Sequence, residues 1–199
     1  MKCGTRSLAV LGALALSAMG LVPAAWAADM SQSGEASPGL VDTPIPDIQA
    51  VGAGDDSAMV GATVATLGVV TAAYPSAESG MGATLDGYTI QSPGSGGAWE
   101  PGRTRSDGLF VFAGKKGEIP APGTCVRVTG TVGEFPATTA KGNPQSLTQL
   151  AATSVSVVEG CQAPTPIPVT HVPTPDEAEA LESMLLAPQG TWTITDNYQ

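Results

Sequence analysis

Aromatic rings and cations at short spacing are the residues of this chain with the clearest chemical use. Tyr88, Phe110 and Phe112 fall in two apolar segments, and Arg103, Arg105, Lys115 and Lys116 bracket the second of them. Rings stack on bases and Lys or Arg meets phosphates, so the pattern suits passive holding of a single-stranded nucleic acid. Side chains alternate along a strand, which puts Phe110 and Phe112 on one face, opposite Leu109 and Val111. Tyr88 carries a hydroxyl that prefers a wet end. Lys141, in a later polar stretch, joins the candidates, as does Trp99 in a Gly-rich stretch, either as a stacking ring or as a cap on the fold. Each has a plainer reading: the Phe rings as core, and the charges as solvated residues that discourage edge-to-edge association.

Groups able to break bonds are scarce. A metal-dependent hydrolase needs convergent Asp, Glu, Asn or His to hold an ion and orient a water. Asp55 and Asp56 are adjacent on a Gly/Ala stretch, where both are expected to face solvent. His171, the one histidine, stands in a Pro-rich segment with no evident partner acid, and Asp176, Glu177, Glu179 and Glu182 read as the solvated acidic face of a helix. No Ser/His/Asp or Cys/His set can be assembled. Gly94-Ser95-Gly96-Gly97 lacks the Lys and helix of a phosphate loop. We therefore expect no catalytic residue, no metal site and no cofactor in this chain.

Composition bounds the partners. Lys2 and Arg6, the apolar run Leu8 to Val22 and the small-residue site Ala25-Trp26-Ala27 read as a secretory signal over residues 1–27, so export to the periplasm or the medium is expected. That run is shorter than the roughly 20 apolar residues of a spanning helix, and no membrane anchor is expected. Loss of residues 1–27 would leave six basic residues against 18 acidic ones, a net charge of −12. A chain so acidic does not draw in polyanions from a distance, so nucleic-acid affinity is expected to be weak. Cys125 and Cys161 remain, and in an oxidising compartment that pair invites one disulfide.

The elements that must position these residues are strands. Residues 28–44 read as a structureless tether, followed by an extended lead-in from Thr43 to Gln49. A first strand, Met59 to Thr71, is β-branched and Gly-bent; then come Gly87 to Gln91, Leu109 to Ala113, Cys125 to Phe135 and Ser154 to Glu159. In the fourth, Val126, Val128 and Val132 alternate with Arg127, Thr129 and Thr131, giving one buried and one wet face. The fold class is all-β: a five-stranded, partly open Greek-key barrel of OB type over residues 45–162. A stiff Pro-rich linker follows at 163–173. Over 174–199, Thr174-Pro175-Asp176-Glu177 reads as a capping box opening a short helix that buries Ala178, Leu181 and Leu185. Gly190 to Gln199 then starts a further β segment.

Three runs, Ser106 to Phe112, Cys125 to Phe135 and Leu147 to Leu150, resemble the OB-like region ahead of the catalytic domain in secreted bacterial nucleases of the endonuclease/exonuclease/phosphatase type. Glu182-Ser183-Met184-Leu185 and Thr195-Asp196-Asn197-Tyr198 are similar to stretches that follow in that family. The resemblance covers roughly residues 45–199 and implies a fragment: a non-catalytic nucleic-acid-binding module for extracellular DNA or RNA, followed in the whole protein by a phosphodiesterase domain using Mg, Mn or Ca. The competing expectations are an exported structural or protein-interaction barrel with no nucleic-acid role and, least favoured, a small stand-alone enzyme.

Overall fold

The computed structural model describes residues 40–52, 56–75, 85–135 and 146–193, all within the compact unit Gly39–Gln199. The signal segment, Asp55, Lys141 and residues 194–199 lie outside the described residues.

Five strands carry the fold: β1 (Thr63–Tyr74), β2 (Gly87–Gln91), β3 (Gly108–Phe112), β4 (Cys125–Phe135) and β5 (Leu147–Val157). The order is β1-β2-β3-β5-β4, and β4 also pairs with β1, so the pairings run in a ring. All are antiparallel except β3 with β5, where Phe110 faces Gln149 and Phe112 faces Ala151. β1 serves two partners, β4 along Thr63 to Val69 and β2 along Val69 to Tyr74, and a bulge between Val70 and Ala72 bends it from one to the other. A bulge adds a residue and raises the local twist, which is how a short sheet curls.

Alternate residues of β2, β3 and β4 supply the interior cluster, although β2 is buried on both faces. Val64, Val70, Tyr88, Ile90, Leu109, Val111, Val126, Val128, Val132 and Leu150 form one interior cluster. In β4 the valines are buried and Arg127, Thr129 and Thr131 are half-buried, as the sequence implies. β5 differs from expectation. It starts at Leu147 and buries Thr148 and Leu150, whereas its end, centred on in the sequence reading, frays outward to a Val157 that is 65% exposed.

Two terminal segments depart further. The lead-in expected to be extended contains a single helical turn, α1 (Ile45–Ile48), with Pro46 in its first turn. Proline's fixed φ suits that place as well as it suits an extended chain. α1 drives Ile45 and Ile48 into the interior cluster and closes the barrel end where β3 and β5 begin. Just before it, in what reads as tether, Asp42 bridges Ala65 and also pairs with Arg127 at 2.6 Å.

The Pro-rich segment is held rather than free. Thr165 N–H donates to Ser95 O at 2.8 Å, and β6 (Ile167–Val169) pairs in parallel with β7 (Leu186–Pro188). Between them lies α2 (Pro175–Ala180), whose capping box is formed as expected by Thr174 and Glu177. Its buried side differs: Ala178 is exposed and Leu185 only half-buried, while Ala180 and Leu181 pack inward beside Ile167 and Val169. The helix stops after six residues, so the i, i+3, i+7 pattern never extends to Leu185. Residues 190–193 form no strand; Trp192 folds back to donate to Gln189 O at 2.9 Å.

Cys125, at the start of β4, is bonded to Cys161 with Cα atoms 6.0 Å apart. Among the described residues no helix is long and apolar enough to cross a membrane.

Candidate functional site

The barrel has two unlike ends. At the end where β1 stops, β2 starts and β3 stops, cross-strand pairing places Tyr74, Gly87 and Phe112 in one row on the outer face. Phe110 lies on that face as well, because Leu109 and Val111 turn inward. Gly87 makes this arrangement possible. A Cβ there would fall 2.6 Å from Cζ of Phe110 and 2.3 Å from Val111 O, so only glycine lets the Phe110 ring lie across β2. The rings of Tyr74 and Phe110 are 6.4 Å apart and tilted by 40°, within the range of favourable aromatic pairs. Phe110 is 4% exposed and acts as floor, whereas Tyr74 at 40% and Phe112 at 38% stand up on either side.

Beyond Phe112 the chain makes a tight turn, with Gly117 N–H donating to Gly114 O at 3.1 Å, and Lys115 and Lys116 occupy its exposed centre. Neither lysine has an ion-pair partner among the described residues. The described arginines are all engaged. Arg103 bonds Asp107 at 2.7 Å and lies near Glu100, the Arg105 carbonyl and the Met184 sulfur. Arg105 pairs with Asp47 at 3.2 Å, and Arg127 with Asp42.

These positions correct the candidate set. Tyr88 is not at a wet end: it is fully buried inside the barrel, its hydroxyl has no partner among the described residues, and burial pushes its pKa up to about 12. Its place on the inward side of β2, opposite Val111, outweighs the preference of a phenol for water. Phe110 supports the surface without offering a free face. Trp99 packs against the cluster of Ile167, Val169 and Leu181, away from the ring row. Arg103 is held by carboxylates in a nearly closed pocket, so its charge is spent within the fold. Lys115 and Lys116 stay exposed beside the rings. Tyr74 was not anticipated, because the sequence reading ended the first strand at Thr71; the continuation Ala72-Ala73-Tyr74 is the signal that would have found it.

The opposite end is sealed by polar contacts. Residues 182–185 cross the outer face of β2 and β3: Ser106 Oγ donates to Glu182 O at 2.6 Å and Leu185 N–H to Gln91 Oε1 at 2.9 Å. Gly108 lies directly beneath, with room for no Cβ, since one would sit 2.4 Å from the Ser183 carbonyl carbon. Gln49 Nε2, buried, donates to Gly108 O at 2.7 Å and to Glu182 Oε1 at 3.0 Å. Glu182 is therefore not part of a solvated face. Burial pushes its pKa up to about 7, opposed by the Gln49 bond and reinforced by Glu179 and Glu134. Glu134 itself accepts from Ser57 N–H at 2.9 Å and Thr148 Oγ1 at 3.0 Å.

His171 does have an acid beside it. Its Nε2 is 3.1 Å from Glu177 Oε2, because the turn before α2 brings residue 177 back over residue 171. Among the described residues no group of three or more His, Cys, Asp or Glu stands close enough to hold a metal ion. Asp56 accepts from Ser146 Oγ at 3.1 Å.

Comparison with known proteins finds no matching family, no similar curated protein and no similar solved structure.

Proposed function

We propose that this chain is an exported, non-catalytic nucleic-acid-binding module of OB type that holds single-stranded DNA or RNA on the Tyr74–Gly87–Phe112 row. In that reading it serves a metal-dependent endonuclease domain encoded elsewhere in a longer protein. The observation that carries the reading is two part-exposed rings flanking Gly87 over a Phe110 floor, followed by a turn whose two lysines have no ion-pair partner among the described residues. Exposed rings offer stacking at about 1–3 kcal/mol per base, indifferent to sequence, while lysines contact the backbone. The strand order and the single parallel β3–β5 pair support the OB assignment; the outer face of β2 and β3, the usual ligand surface of that fold, is covered by residues 182–185 at one end, which leaves the ring row at the other. Export is supported by the signal-like residues 1–27 and by the Cys125–Cys161 bond. The nuclease context rests on the resemblance alone, as does the expectation of Mg, Mn or Ca in the catalytic domain.

Two phosphate contacts by Lys115 and Lys116 give a salt slope near −1.4 for a single strand, so affinity should fall roughly sevenfold between about 50 and 200 mM salt. Titrating a labelled oligodeoxynucleotide into the chain at those two salt concentrations tests this. Saturable binding with that slope supports the proposal; no binding at the lower salt rejects it. The net charge of −10 favours a second reading, an aromatic surface for a protein partner with no nucleic-acid role, and the second result would leave that reading standing.

A further inference from the structure

Away from the ring row, Trp99, β6, the turn after it and α2 line a half-open cleft of about 90 Å³, with Val169, His171, Pro173, Glu177 and Leu181 on its walls. Its floor is apolar, Leu181 and Val169 being buried members of one cluster with Trp99 packed against them. Its wall carries one carboxylate. Glu177 is held below the usual carboxylate range, chiefly by the Thr174 backbone N–H and then by His171 and the Thr174 hydroxyl. Those bonds concentrate on Oε2, at 2.8 Å, 3.1 Å and 3.0 Å; among the described residues Oε1 has only the His171 contact at 3.4 Å, which leaves it open as the counter-charge to a cation. Trp99, an apolar floor and the Glu177 carboxylate, with His171 beside it, meet in one cleft, a set that suits an organic cation: an aromatic ring and a carboxylate both attract positive charge, and the floor covers alkyl groups.

We propose that this cavity is a binding site for a small alkylammonium group, carried by a free amine or by a lysine side chain of a partner. The size fits: an apolar cavity of about 150 Å³ takes a benzene ring, so a smaller one takes a branched head of four or five heavy atoms. The site is independent of nucleic-acid binding. It uses neither Tyr74, Phe112 nor the lysine turn.

The test follows the Trp99 indole N–H resonance of the whole chain, assigned by its loss in Trp99→Phe, during titration with tetramethylammonium, with neutral tert-butanol and with a short lysine peptide. The expected result is a saturable shift with tetramethylammonium or the peptide, at least about fivefold weaker with tert-butanol. Glu177→Gln retains a capping-box residue, so its fold should persist while the cation affinity drops by a similar factor. If the peptide saturates at lower concentration than tetramethylammonium, the natural source is a protein lysine; the reverse order points to a free amine. Equal binding of tert-butanol, an unchanged affinity in Glu177→Gln with a native spectrum, or no saturable shift with either cation would each overturn the proposal.

Discussion

The two ends of the barrel are built from the same five strands and finished in opposite ways. Where β3 and β5 begin, α1 and residues 182–185 cover the strands, and buried polar groups are matched one to another: Gln49 with Gly108 and Glu182, Ser106 with Glu182, Gln91 with Leu185. Where β3 stops, Tyr74 and Phe112 keep 40% and 38% of their surface in solvent, and Lys115 and Lys116 have no ion-pair partner among the described residues. Buried polar groups are mostly hydrogen-bonded, as those at the covered end are, although Glu134 Oε2 and the Tyr88 hydroxyl have no partner among the described residues. Leaving rings exposed gains no folding energy. The covered end accordingly reads as stability, and the ring row proposed above lies at the open end.

The largest expected effects lie with what closes the fold. Joint replacement of Cys125 and Cys161 by Ser releases a link across 36 residues, which the chain-entropy view values at about 4 kcal/mol; chemical denaturation of the oxidised protein and the double variant measures it. At the covered end, Ile48→Ala should cost about 2–5 kcal/mol, because Ile48 is fully buried in the interior cluster. The matching change at the open end, Phe112→Ala, should cost well under half of that. Equal losses would dissolve the contrast between the ends.

A subtler probe is pH. The folded pKa of Glu182 is raised, so its contribution is fully present below the unfolded carboxylate value and is lost as pH rises toward about 7. Stability of the native chain should thus decline from pH 5 to pH 8 relative to Glu182→Gln, whose amide oxygen still accepts from Gln49. Parallel denaturation curves at each pH would show it, and a constant difference would count against burial of a charge at the covered end. Smallest of all, Tyr88→Phe should leave stability unchanged or raise it by about 1 kcal/mol, since it removes a buried hydroxyl lacking a partner. Its nucleic-acid affinity should be unaltered, which separates Tyr88 from the ring row.

Most of the barrel was legible in the residues. The spans of β2 and β4 agree to the residue with the sequence reading, because β-branched alternation bounded by turn residues leaves little freedom. The capping box was legible as a local requirement met by specific residue types, and the cysteine pair because residues 28–199 hold two cysteines and no more. What failed needed tertiary information. A four-residue turn such as α1 has no periodicity, and Thr43-Pro44-Ile45-Pro46 fits extended and helical geometry alike. Glu182 reads as one more acid on a helix until α2 stops at Ala180 and the chain folds over Gly108. Alternation within β3 gives the shared face of Phe110 and Phe112, whereas the pairing that sets Tyr74 beside Gly87 and turns Tyr88 inside is a property of the sheet.

The most direct test of the central claim compares binding of a short single-stranded oligonucleotide by the native chain with binding by Phe112→Ala and by the double variant Lys115→Ala, Lys116→Ala. Loss of about 1–3 kcal/mol of affinity in the first, and near-complete loss of salt dependence in the second, is the predicted result. Native-like affinity in both variants, or no measurable binding by the native chain at low salt, would contradict it.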